Sequence, residues 1–246
     1  MKALVPEGSQ IALPAPPRSP EVLDVAVHAK PPPQDLLRVW DFDSDPPGGL
    51  PQGFSALSLG ERTAGAWQVQ TDPAAPSLPN VLGHRSSCSA PGCFELLVTD
   101  IAGFEFPDAT VQMRFDDAPG QGEAGIALMA REGEDFFAVM VGGDPGTVTL
   151  YRVVQGQAAV VGHAPITGDP RAWQGLRVQR SNFAHVSKPR LEVFVNGREA
   201  LVVADEILPE VGRIGLVAHG QATVRFDKFR VLKLVTNQPL SAPAAY

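Results

Sequence analysis

The chain has 246 residues, 44% of them hydrophobic and 19% charged, with a formal net charge of −7. That balance, without any Lys/Arg-rich run, excludes a nucleic-acid binder, which needs a basic surface to displace the counterions of the phosphates. The 24 glycines and 24 prolines supply frequent turns, as in an all-β sandwich or barrel, a class that reaches roughly 200–250 residues in one domain.

The first segment, "MKALVPEGSQ", carries one lysine and an apolar patch broken at Pro6, too short for the apolar region of a signal peptide. No run approaches the roughly 18–20 apolar residues of a membrane helix. Two settings stay open: a cytoplasmic chain, or one whose signal was removed ahead of residue 1. Prolines crowd residues 1–35 ("LPAPPRSP", "KPPPQD"), which predicts an extended, polyproline-like arm with no core of its own. Its apolar residues, Ile11, Leu13, Val22, Leu23, Val25 and Val27, gain stabilisation only when docked. The surface they meet is either a protein partner in a larger assembly, in solution or at a membrane surface, or the chain's own body.

A body follows over residues 36–234, and residues 235–246 return to loop composition. "LLRVWDFD" opens the body as a strand, and "DFDSD" places Asp41, Asp43 and Asp45 in the oxygen-rich pattern of a calcium loop. Further on, Cys88 and Cys93 flank a Pro-Gly turn in "CSAPGC", close enough to close a small disulfide; zinc would want more ligands nearby. A disulfide favours an oxidising compartment, so a periplasmic or secreted setting is expected, with reduced thiols in the cytoplasm as the alternative.

From Ala109 onward, strand-like runs recur between turn signals. "ATVQMRF" alternates Val111, Met113 and Phe115 with polar residues, the period-2 pattern of a half-buried strand. After it come "AGIALMAR", "DFFAVMV", "TVTLYRVV", "QAAVVGHA", "QGLRVQR", "RLEVFV" and "EALVVAD". Asn196-Gly197 separates the last two, and a type I′ hairpin turn needs positive φ at both of its central positions, which Asn-Gly supplies. Short connections imply antiparallel pairing, and the lack of helical periodicity excludes βαβ units. In "RIGLVAHGQATVRFDKFRVL", Val224 and Phe226 share one parity while Phe229 and Val231 fall on the other, which predicts a bulge near Asp227-Lys228. The predicted architecture is an all-β, antiparallel two-sheet jelly-roll sandwich with an extended N-terminal arm.

"WQGLRVQR", "LEVFVNGREALVVAD" and "GRIGLVAHGQATVRFDKFRV" together resemble the closing half of concanavalin A-like sandwich domains. The resemblance is strongest to the laminin-G-like and 3-keto-disaccharide-hydrolase-like group related to family 16 glucanases. "AWQVQTD", "DATVQMRF" and "GIALMAREGEDFFAVMV" stand in the order that group implies, so the likeness covers most of the body and none of the arm. The scaffold hosts enzymes, lectins and adhesive modules alike. In such folds the first and last strands lie side by side, which would bring Asp43 towards Asp227 as calcium ligands.

The family 16 pattern puts alternate carboxylates of E-x-D-x-x-E on one strand face, as nucleophile and acid/base. "REGEDFFAVM" bunches Glu132, Glu134 and Asp135 around Gly133, and the strand then offers Phe137, Ala138 and Met140. The hydrolase-like relatives end one strand on arginine and begin the next on a tyrosine-glutamate pair. Arg131 matches, while Phe137 and Ala138 take the places of the other two, so a hydrolytic site would lack its acid. The histidines, at 28, 84, 163, 185 and 219, show no metal-ligand spacing, and "GGDPG" lacks the helix of a phosphate cradle. Trp40, Trp67 and Trp173 lie in or beside apolar-alternating strands and are expected in the core. If a concave face binds ligand, Arg114, Arg131 and Tyr151 are the residues expected on it. The function expected is a non-catalytic interaction or accessory subunit docked through its arm, with no cofactor except a calcium ion at Asp43 and Asp227. A carbohydrate-binding module or a divergent glycoside hydrolase is the alternative.

Overall fold

The computed structural model describes residues 36–60, 66–86, 88, 90, 92–104, 106–116, 122–131, 134–142, 146–181, 190–204, 212–221 and 223–233. All belong to the unit Pro32–Tyr246. In chain order the strands are β1 (Leu37–Trp40), β2 (Phe54–Leu59), β3 (Ala66–Thr71), β4 (Asn80–Arg85), β5 (Phe94–Thr99), β6 (Pro107–Phe115), β7 (Glu123–Arg131) and β8 (Asp135–Gly142). They continue as β9 (Thr147–Val154), β10 (Gln157–Pro165), β11 (Gln174–Ser181), β12 (Arg190–Val195), β13 (Arg198–Ala204), β14 (Arg213–His219) and β15 (Thr223–Lys233). Among the described residues there is no helix, and none is long and apolar enough to cross a membrane. The arm residues Ile11, Leu13, Val22, Leu23, Val25 and Val27 lie outside the described residues.

Two antiparallel sheets form the sandwich. The first runs β13-β12-β11-β6-β15-β4-β3, with β1 paired to the far end of β15; the second runs β10-β9-β8-β7-β14-β5-β2. β1 sits beside β15 from Leu37↔Leu232 to Trp40↔Phe229, so the opening and closing strands are neighbours, as expected. The bulge is also where the parity slips: the register of β15 against β6 shifts between Asp227 and Arg230, with Lys228 at φ 49°. Because the bulge consumes the odd residue, Phe226 and Phe229 both reach the core at 0% exposure. Asn196 and Gly197 adopt φ 51° and 75°, the positive values a type I′ turn requires.

The core between the sheets takes one face of each strand: Val111, Met113 and Phe115 from β6, Ile126 and Leu128 from β7, Phe137 and Val139 from β8, Ile214 and Leu216 from β14. Each buried phenylalanine contributes roughly 1.5–3 kcal/mol of transfer free energy. One polar pair crosses this core: His84 Nε2 lies 2.8 Å from Glu95 Oε2, with side-chain exposures of 0% and 2%. Trp67 stacks on the imidazole, ring centroids 3.8 Å apart.

Trp67 is core, as expected, and Trp40 packs on its margin. Trp173 is not core. Its indole Nε1 donates to Ala74 O at 2.8 Å, and the Arg114 guanidinium lies over its ring. Phe137 also departs from expectation. On β8 it points into the sandwich, so Ala138 and Met140 are presented to the opposite face without it.

Candidate functional site

The second sheet has an outer face as apolar as its inner one. Phe94 and Leu96 of β5, Val217 of β14, Ala127 of β7, Phe136, Ala138 and Met140 of β8 and Val153 of β9 form a second buried cluster, flanked by Leu57, Leu59 and Tyr151. Curvature brings these side chains together. β5 and β9 are four strand steps apart, which in a flat sheet is roughly 19 Å, yet the Phe94 and Tyr151 ring centres are 5.6 Å apart. Phe94 likewise meets Phe136 edge-on at 5.5 Å. A Cβ built on Gly156, in the turn after β9, would lie 3.2 Å from Leu59 on the far strand β2. The right-handed twist therefore brings opposite corners of the sheet over this face, which is concave and bridged by aromatic rings. Ala138, where the hydrolase-like relatives carry their glutamate, lies on its floor at 0% exposure between Ala127 and Tyr151.

Two polar regions remain, one at each end. At the first, β7 begins with Glu123 directly opposite His219 at the end of β14. Tyr151 Oη donates to Glu123 Oε2 at 2.6 Å and Thr149 Oγ1 donates to Oε1 at 3.2 Å. Both come from β9, across β8, and Gly142 of β8 makes the reach possible: a Cβ there would lie 3.2 Å from Glu123 Oε1 and from Thr147 Oγ1. Burial, reinforced by the hydrogen bond to Glu123 and its charge, pushes the Tyr151 phenol well above its ordinary range. His219 stacks on Phe94 and its Nδ1 lies 2.6 Å from Cys93 O, so Nδ1 carries the proton and donates. Cys93 is joined to Cys88 in a disulfide, as the sequence suggested.

The second region is a cleft of about 530 Å³ lined by Ala102, Ala130, Arg131, Glu134, Asp135, Gly212 and Arg213. Arg131 closes β7 opposite Asp135, which opens β8. Asp135 Oδ1 accepts from Gln155 N at 2.7 Å. Glu134 and Asp135 are consecutive at the entry to a strand, where successive side chains diverge, so they do not form an opposed catalytic pair.

The three residues expected on one face are divided. Tyr151 lies on the concave face beside Glu123, Arg131 sits at the rim of the sheet's other end opposite Asp135, and Arg114 is on the other sheet altogether. Met113 and Phe115 take the core face of β6, which turns Arg114 outward, where it donates to Asp72 Oδ2 at 2.8 Å. Asp72 also accepts from Arg225 at 2.9 Å. Desolvation alone would raise its pKa, but the Ala74 N–H and the two guanidiniums outweigh it and hold the carboxyl below its usual range.

Asp43 and Asp227 do approach one another. Burial raises the Asp227 carboxyl and the charge of Asp43 adds to it, against hydrogen bonds donated by Ser77 and Lys228. Those bonds occupy both oxygens: Ser77 N and Oγ lie 2.6 Å from Oδ2 and Oδ1, and Lys228 N lies 2.6 Å from Oδ1. Asn80 N donates to Asp43 Oδ1 at 3.0 Å, and its side-chain amide points at Phe42 O, Asp43 O and Asp45 O at 3.5, 3.3 and 3.1 Å. An amide thus serves the loop oxygens that a calcium ion would collect. Among the described residues no group of three or more His, Cys, Asp or Glu is placed to hold a metal.

The sequence reading missed Glu123 and His219, which are far apart in the chain and meet only through the β7–β14 register. No family of known proteins matches the sequence. No curated protein matches it either. Solved structures do match, and the fold is a concanavalin A-like sandwich. A carbohydrate-binding module, CBM66 from Bacillus subtilis, superposes with TM-score 0.55 at 14% identity over 72% of this chain and 94% of that one. The exoplasmic/lumenal domain of VIP36, in a Ca2+/Man-bound form, does so with TM-score 0.52 at 10% identity over 84% and 93%. A beta-1,3-glucanase from Mycobacterium marinum gives 0.50 at 14% identity over 79% and 97%.

Proposed function

We propose that the protein is a non-catalytic carbohydrate-binding module that takes the end of a saccharide in the cleft at Arg131. The observation that supports this most is the lining of that cleft at the rim of the sheet: Arg131 and Arg213 supply fork-shaped donors, Glu134 and Asp135 supply acceptors, and the small side chains of Ala102 and Ala130 leave room for a ring. Saccharide hydroxyls donate and accept at once, so a mixed charged lining serves them through charge-assisted hydrogen bonds. The Phe94 bridge leaves no continuous groove for a long chain, which favours a terminal sugar over an internal one. A carbohydrate-binding module and a mannose-bound domain among the matched folds agree with this reading. A periplasmic or secreted setting fits it and the disulfide together.

Ala138 on the floor and the divergence of Glu134 from Asp135 favour binding without turnover. The test is a glycan array followed by calorimetry. Arg131→Ala with Arg213→Ala is expected to weaken the best ligand at least about tenfold, as loss of charge-assisted contacts does, while the far-ultraviolet spectrum stays that of a β-sandwich. Hydrolysis of that ligand, lost in Glu134→Gln, would overturn the non-catalytic part.

A second reading, an accessory subunit held in an assembly, is favoured by one surface. Val154, Val160, Val161 and Val202 are 42%, 54%, 37% and 42% exposed along the edge where β10 runs beside β13. Edge strands with few charges invite pairing with another chain.

A further inference from the structure

We propose that the opposite end of the concave face, at Glu123, Thr149, Tyr151 and His219, is a separate site for a protonated primary amine, as carried by an amino sugar. The inference does not rest on the cleft at Arg131. The Tyr151 hydroxyl hydrogen is committed to Glu123 Oε2 and the Thr149 hydrogen to Oε1. The proton on His219 Nδ1 is committed to Cys93 O and is not available to a ligand. What the two hydroxyls and the carboxylate still offer is acceptors alone: the phenol and threonine oxygens and the remaining lone pairs of half-buried Glu123.

An ammonium group is the complement, with three N–H donors, no acceptor and a positive charge. A neutral hydroxyl brings one hydrogen and no charge, and an anion would be repelled. The half-buried Tyr151 ring, packed against Phe94 at 5.6 Å, adds its π system beside the carboxylate. Access is built into the backbone. Gly142 stands between β7 and β9 where any side chain would cover Glu123. No Lys or Arg occupies this end of the face among the described residues; Arg213 is at the other end of β14.

The experiment is an NMR titration of the full chain with glucosamine, N-acetylglucosamine and glucose, below the pH at which the amine loses its proton. Glucosamine is expected to shift the signals of Thr149, Tyr151 and His219, and to bind at least about tenfold tighter than the other two, as a charge-assisted contact would give. Glu123→Gln, close in shape, is expected to abolish that preference, whereas Arg131→Ala with Arg213→Ala leaves it intact. A failure of the saccharide cleft and a failure of this site are therefore read from different variants. If Glu123→Gln does not fold, the wild-type chain gives the same answer, because its affinity for glucosamine must fall as the ligand's amine deprotonates. The proposal is overturned if the three sugars bind alike, if glucosamine does not bind, if its shifts map to Ala130 and Arg131, or if Glu123→Gln keeps the full preference.

Discussion

Single residues decide the polarity of each face. Arg114 illustrates how: its charge suggests a ligand contact, but parity on β6 sends it outward to Asp72 and Trp173. Asp72 thereby becomes the hub for two arginines and the Ala74 N–H. Since the folded state holds its carboxyl below the usual range, Asp72 contributes stability above its unfolded pKa, and the contribution is lost as pH falls through the folded one. Asp72→Asn is expected to cost about 2 kcal/mol at neutral pH, the worth of hydrogen bonds to a charged group. The difference from wild type should shrink as pH drops through the carboxylate range. Urea midpoints at neutral and acid pH measure this, and a cost that stays constant with pH would show that the charge of Asp72 is not what matters. Asp227, raised mainly by burial, works in the opposite direction and softens the acid limb.

At the scale of elements, legibility followed solvent contrast. β6, β11 and β12 alternate buried with half-exposed positions, and their period-2 pattern is plain in the sequence. β4 and β5 are buried on both faces or nearly so, and "NVLGHR" and "FELLVT" carry no alternation to find. β2 is part-exposed beyond its first residue, and there the serines of "FSALSL" break the apolar pattern instead. The concave site was harder still. Glu123, Tyr151 and His219 belong to β7, β9 and β14, and the sheet order β9-β8-β7-β14 that gathers them is a property of pairing and not of any local segment.

The connection from β4 to β5 has a role of its own. The Cys88–Cys93 disulfide closes it, Cys88 bridges to Gly220 just beyond β14, and Cys93 O accepts from His219. Replacing both cysteines by alanine is expected to cost about 2 kcal/mol by the loop-entropy estimate for so short a ring. The His219 ring signals should broaden as its anchor loosens. Thermal denaturation and NMR of the double variant check the two effects separately; sharp, unshifted His219 signals would mean that the carbonyl is held by the strand pairing alone.

For the whole molecule the question is which part carries association. Among the described residues both apolar clusters are built from the stretch Leu37 to Lys233, and residues 1–34 are expected to be dispensable for the core between the sheets. Deleting those residues is expected to leave the urea midpoint within about 1 kcal/mol of the full chain, the usual scale for removing segments outside a core. A binding module should then keep its saccharide affinity, because the cleft between β7, β8 and β14 is preformed by the sheet. An accessory subunit should behave differently. The apolar residues Ile11 to Val27 contribute association energy only while docked, so the truncated chain would keep its fold and lose its place in the assembly. Size-exclusion chromatography of both forms from the native source, alongside calorimetry with the saccharide, separates the two. If the truncated chain instead unfolds, the arm belongs to the cover of the domain's own concave face, and its apolar residues are unavailable to any partner.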